Sequence, residues 1–151
     1  MTANTIGHGP PVRQFSVMLQ NRVGALAALV KMLRSCHIEV VGLSVQDARD
    51  ATIARLVVSD PETTEQLFLE KGIPHTVCEL LVVELKEAGP NLLQCLDHLM
   101  VAETNIDFCY PLLPIYQGYS LLAMHVDDLE FAASILNAAG FTLIWQDGLS
   151  R

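Results

Sequence analysis

Between residues 12 and 20 the chain reads VRQFSVMLQ, where Phe15, Val17 and Leu19 alternate with Gln14, Ser16 and Met18. A period of two predicts a strand with one apolar face. Asn21-Arg22-Val23-Gly24 has the composition of a turn, and Leu26, Leu29, Val30 and Leu33 then fall at helical spacing. Residues 38 to 45 and 51 to 59 are rich in branched side chains and are divided by the polar Asp47-Ala48-Arg49-Asp50, which predicts a hairpin. Asp60-Pro61 supplies an N-cap acceptor and a proline suited to the first helical position. That helix is predicted to run to Lys71 and stop at Gly72, before a short strand beginning at residues 76 to 78. The order is β-α-β-β-α-β.

The same order recurs. Residues 80 to 85, LLVVEL, predict a strand, residues 87 to 91 a turn, and Leu92, Leu96, Leu99 and Met100 a helix. Residues 106 to 112 and 119 to 126 form a second hairpin pattern around Pro114 and Gly118. Asp127 or Asp128 caps a helix ending at Gly140, and residues 142 to 146 close the unit. Leu26, Leu33 and Val40 match Leu92, Leu99 and Ile106 at one constant offset. After the longer second hairpin loop, Asp60 and Gly72-Ile73 match Asp128 and Gly140-Phe141. The chain is therefore a duplication of one supersecondary unit. The fold class expected is α+β, with two tandem ferredoxin-like modules. Each has an antiparallel four-stranded sheet with two helices on one face, and the two pack directly together. The boundaries are a flexible leader over residues 1–11, module 1 over 12–79 and module 2 over 80–151.

Composition narrows the function. With a formal net charge of −8, the chain lacks the basic patch that phosphate contacts need, so no nucleic-acid partner is expected. A ferredoxin-like sheet that binds RNA would stack bases on aromatics of its central strands. The strand ATIARLVVS has none and carries a single Arg55. No apolar run approaches membrane-spanning length, and the first residues lack a signal-peptide pattern, so no membrane association and a cytoplasmic location are expected. Cys36, Cys78, Cys95 and Cys109 form no C-x-x-C pair, and Cys95 with His98 gives only two metal ligands. No nucleophile elbow, H-E-x-x-H or P-loop is present, so neither an enzyme activity nor a cofactor nor a metal is expected.

The stretch VMLQNRVGAL, a helix, and then IEVVGLSV resemble the ACT domain, the amino-acid-sensing module of metabolic enzymes. The first copy is most similar to the regulatory small subunit of acetohydroxyacid synthase. That subunit carries an Asn-x-x-Gly-Ala-Leu turn, matched here by Asn21, Gly24, Ala25 and Leu26. The second copy resembles the C-terminal half of small stand-alone tandem ACT proteins, down to Gly140-Phe141-Thr142. Its turn departs from the family's Asp-x-Pro-Gly-x-Leu, because Gly89 and Pro90 have exchanged places. Glu39 stands where that subunit places an Asn at the start of its second strand, whereas Asn105 occupies the matching place in copy two.

A strand turning sharply into a helix leaves backbone N–H groups unpaired, and the helix dipole adds partial positive charge, so a carboxylate is stabilised there. The resemblance implies an amino-acid effector, branched-chain by likeness to that subunit, bound at the interface between modules. Its contacts in the first turn would be Asn21, Arg22, Val23, Gly24, Ala25 and Leu26, and in the second Glu87, Gly89, Asn91 and Leu92. A neighbouring module would add Gly42, Leu43, Ser44, Asn105 or Tyr110. Both turns are candidates. The resemblance further implies a homodimer or higher oligomer and a metabolic enzyme as partner. The alternative is a ligand-free scaffold that mediates dimerisation or protein–protein interaction.

Overall fold

The computed structural model of the chain describes residues 9–20, 22–113 and 118–150. The first half runs β1 (Val12–Leu19), α1 (Ala25–Ser35), β2 (Val40–Asp47), β3 (Thr52–Val58), α2 (Pro61–Glu70) and β4 (His75–Leu85). The second continues with α3 (Ala88–Val101), β5 (Ile106–Pro111), β6 (Ser120–Val126), α4 (Leu129–Ala138), β7 (Leu143–Ile144) and α5 (Gln146–Leu149). The two predicted acidic caps are made. The Asp60 side chain accepts from the Thr63 amide at 3.1 Å and the Asp128 side chain from the Phe131 amide at 3.0 Å. Each satisfies an otherwise orphan first-turn donor. The helices end before Gly72 and Gly140, whose φ angles of 64° and 92° are left-handed.

Each half is an antiparallel ferredoxin-like sheet, ordered β2-β3-β1-β4 in the first and β5-β6-β4-β7 in the second. One strand serves both. The two short strands expected on either side of residue 79 are a single eleven-residue strand, β4. Nothing between His75 and Leu85 is glycine or proline, so no residue interrupts the extended backbone. Its first half, to Leu80, pairs with β1, and from Leu81 onward it pairs with β6 and β7. The predicted boundary between residues 79 and 80 falls inside it. The last strand is shorter than the sequence pattern suggests, because the chain leaves β7 after Ile144 and coils into α5. There Gln146 ties the ends together. Its amide donates to the Pro10 carbonyl at 3.0 Å and its side chain to the Val58 carbonyl at 3.1 Å. Of the expected leader, residues 1–8 lie outside the described residues, and Pro10 is held by this bond.

Alternation along the strands sends side chains to two faces. Phe15, Val17, Leu56 and Val58 face α1 and α2, with Leu29, Leu33 and Phe68. Leu81, Val83, Leu122 and Met124 face α3 and α4, with Cys95, Leu99 and Leu136. The helix-free faces form a third core between the two sheets, made of Val57, Leu80, Val82, Tyr110, Leu112, Leu121 and Ala123, with Leu149 of α5. The strand path β2-β3-β1-β4-β6-β5 curls until its end strands touch. Gly42 of β2 bridges Leu112, and the Leu113 amide donates to the Val41 carbonyl at 2.9 Å.

Gly42 is required at that contact by space. A Cβ there would lie 2.5 Å from Leu112 Cδ2 and 3.0 Å from Val57 Cβ. We expect Gly42→Val to destabilise the fold by about 1–3 kcal/mol, the usual range for overpacking a filled core. Combined with Leu112→Ala, the total loss should be smaller than the sum of the two single losses. Urea denaturation of the single and double variants checks this, and an additive pair would show that the two side chains do not collide.

Candidate functional site

The first strand-to-helix turn is open. Gly24 precedes α1 at φ 87°, a left-handed conformation that side-chain-bearing residues adopt only with strain. Its carbonyl accepts from the Ala28 amide at 2.9 Å and so starts the helix. No side chain among the described residues caps α1, and the amides of Leu26 and Ala27 have no acceptor among them. Both carry the positive end of the helix dipole. Arg22 and Val23 are exposed, and a Cβ at Gly24 would meet nothing within 4 Å. Asn21 lies outside the described residues.

The second turn is built differently. Helix α3 starts at Ala88, earlier than the leucine pattern suggests, with Gly89 and Pro90 in its first turn. Proline is tolerated there because the amide it lacks would be unpaired anyway. One potential ligand donor is thereby removed. Asn91 holds the turn from inside the helix. Its Oδ1 accepts from the Glu87 amide at 2.7 Å, and its Nδ2 donates to Gln94 Oε1 at 3.1 Å.

Each turn borders a cleft, and the two clefts occupy matching places in the two copies. The first, about 310 Å³, is lined by residues that include Met18, Gln20, Arg22, Ala25, Ala28 and Met32, closed by Gly72-Ile73-Pro74. The second, about 330 Å³, has Glu84, Lys86, Asn91, Gln94 and His98, closed by Ala139-Gly140-Phe141-Thr142. The constant offsets of the duplication place Ala25 against Asn91, Ala28 against Gln94, Met32 against His98 and Ile73 against Phe141. The shape is shared while the chemistry is not: the first cleft is largely apolar and the second polar with both signs of charge. The His98 ring stands edge-on to Phe141 at 6.2 Å.

The remaining predicted contacts go elsewhere. Gly42, Leu43, Ser44, Asn105 and Tyr110 line neither cleft, nor do Val23, Gly24, Leu26, Glu87, Gly89 and Leu92. Gly42 is packed against Leu112, and Leu43 leans on the core beneath α1 and α2. Asn105 Nδ2 donates to Asp107 Oδ1 at 3.4 Å. Tyr110 is buried between the sheets, where its hydroxyl donates to Gln14 Oε1 at 2.7 Å. Burial raises its pKa well above the ordinary value. Cys95 is also buried, its thiol pushed up to about 11, which suppresses the thiolate that redox or metal chemistry needs. Among the described residues no three His, Cys, Asp or Glu side chains group as metal ligands, and no helix is long and apolar enough to cross a membrane.

The sequence matches the family model described as "ACT domain pair" over residues 11–150. Comparison with curated proteins gives no match. Among solved structures, the chain is similar to a protein of Bacteroides thetaiotaomicron, with a TM-score of 0.84 and 17% identity, over 93% of this chain and 96% of that one. It is also similar to the regulatory subunit of aspartate kinase from Thermus thermophilus, with a TM-score of 0.60 and 12% identity, over 87% and 91%. The corresponding subunit from Thermus flavus gives 0.55 and 15% identity, over 87% and 92%. At these identities the likeness is one of fold.

The two turn glycines should respond oppositely to a methyl group. Neither would meet an atom within 4 Å, but only Gly24 has a positive φ. Gly24→Ala should lose about 1–2 kcal/mol to left-handed strain. Gly89→Ala, inside a helix, should gain up to about 1 kcal/mol. Thermal melts of both variants test the pair, and equal effects would contradict the difference in backbone.

Proposed function

The chain belongs to the ACT domain pair family, and from that membership we propose that it is a non-catalytic regulatory protein. Its modules, residues 12–79 and 80–151, bind a small amino-acid effector at a module interface and modulate a partner metabolic enzyme. The observation that carries this reading is the open bend at Gly24. The amides of Leu26 and Ala27, without an acceptor among the described residues, start the helix whose Ala25 and Ala28 line a cleft of about 310 Å³, near the lower end of the usual range for small-ligand pockets. A carboxylate accepting from those amides would complete the helix start. Met18, Ala28, Leu29, Met32 and Ile73 on the cleft wall favour an apolar side chain. The resemblance of the first copy to the acetohydroxyacid synthase subunit favours a branched-chain one. Near Gly42 the seam inside the chain is filled by Leu112. That filling favours an interface with a second chain, in a homodimer or higher oligomer, as the one that completes the site at the bend.

The scaffold reading has one observation in its favour. Pro90 removes an amide from the second turn, so only the first keeps the full cradle.

Calorimetry against the twenty amino acids at millimolar concentration separates the two readings. A sensor should bind a small apolar subset, and Asn21→Ala combined with Gly24→Ala should abolish the heat while the protein still melts cooperatively. Silence across the whole panel leaves the scaffold.

A further inference from the structure

The third core is closed at one end by Gly42 and Leu112 and is polar at the other. Strand register defines that end. Ser44, Arg55, Ser16 and Thr76 are successive cross-strand partners over β2, β3, β1 and β4. Directly opposed residues share a face, and this row lies two residues beyond Val57 and Gln14 on the helix-free side. Across the seam stand Phe108 of β5 and its partner His125 of β6, with rings stacked at 5.1 Å. The Arg55 guanidinium carbon lies over the Phe108 ring, 4.2 Å from its centre. His125 Nδ1 is in turn 2.7 Å from Asp107 Oδ2. Arginine, aromatic ring and imidazole thus form one stack across the two sheets.

Arg55 is half-buried, yet among the described residues its guanidinium pairs with no carboxylate and makes no hydrogen bond, in a chain of net charge −8. A cation over a ring is held by its charge, and no hydrogen bond engages the guanidinium's five N–H donors among the described residues. The Ser44 hydroxyl makes no hydrogen bond among the described residues, and the Ser16 hydroxyl only accepts, from Gln14 Nε2 at 3.1 Å. Both hydroxyl protons are available. The charge also reaches inward. Burial raises the pKa of Cys78 and of Tyr110, and the Arg55 charge pulls each part of the way back. A guanidinium held over a ring and flanked by hydroxyls with unused protons has the form that carboxylates complement.

We propose that this polar end of the seam is a carboxylate-binding site, in which Arg55, held over Phe108, makes a two-pronged contact with a small carboxylate while Ser16 and Ser44 donate to its oxygens. The site is separate from the bend at Gly24, and the carboxylate belongs to an organic acid or to an amino acid.

The test is an NMR titration of the full chain, following the Arg55 Nε–Hε signal and the Ser16 and Ser44 amides. The probes are acetate, succinate, each amino acid, the amino-acid methyl esters and inorganic phosphate. A saturable shift with free carboxylates, absent with the esters, supports the site. A response to acetate or succinate assigns an organic acid, and a response confined to amino acids assigns that source. Arg55→Lys should weaken binding about tenfold or more by losing the planar fork. Arg55→Met, which keeps a packed stem on Phe108, should abolish it. Immobile signals with every probe at millimolar concentration, equal shifts with phosphate, or undiminished binding by a folded Arg55→Met variant would each overturn the proposal. An amino acid that gives heat in calorimetry but leaves the Arg55 signal unmoved would spare the reading at the bend and remove this one.

Discussion

Strand β4 donates and accepts along its length for both halves of the protein. Up to Leu80 its partner is β1, and from Leu81 its partners are β6 and β7. Neither sheet is complete without it, since it is the last strand of one unit and the first of the other. Strand β4 joins the two sheets edge to edge, and the curl that closes β2 on β5 brings the helix-free faces together over the core of Leu80, Val82, Tyr110 and Leu121. A ferredoxin-like unit alone would leave that sheet face in water. The continuity of one backbone segment removes that exposure for both copies.

The same constraint makes the seam unequal. Where β2 and β5 close on each other, glycine and leucine fill the space. Farther along, the strands carry serines, threonine and an arginine, and the seam ends in an aromatic stack. The helix side is unequal too. The clefts beneath α1 and α3 inherit one shape from the duplication, but methionine and alanine line one where histidine, glutamine and asparagine line the other. Two copies of one fold thus present surfaces of different chemistry within one chain.

The elements set by local chemistry were legible in the sequence. Asp60 and Asp128 cap helices, Gly72 and Gly140 end them, and alternation places Phe15 and Val17 inside, because each effect acts within a few residues. What depends on distant partners was not. Strand patterning predicts segments on both sides of Glu79 but cannot tell two strands from one. Residues 87 to 91 read as a turn, whereas Gly89, Pro90 and Asn91 lie in the first turns of α3. Gly42 reads as a ligand contact, because only the folded chain brings Leu112 beside it. Gln94 and His98 look like an ordinary solvated helix face, and the register of the repeat was the one signal that could have drawn attention to them. Arg55 reads as a lone basic residue, since the ring on which it lies belongs to the other copy.

A shared strand also fixes how the chain can be altered. In an ordinary two-domain protein the junction absorbs an extra residue with little effect. Here one residue inserted beside Glu79 would turn every later side chain of β4 to the opposite face. Val83 and Leu85 would leave the helices as Val82 left the seam. The junction is therefore a poor place for an insertion, and graft or fusion boundaries belong in the hairpin loops instead.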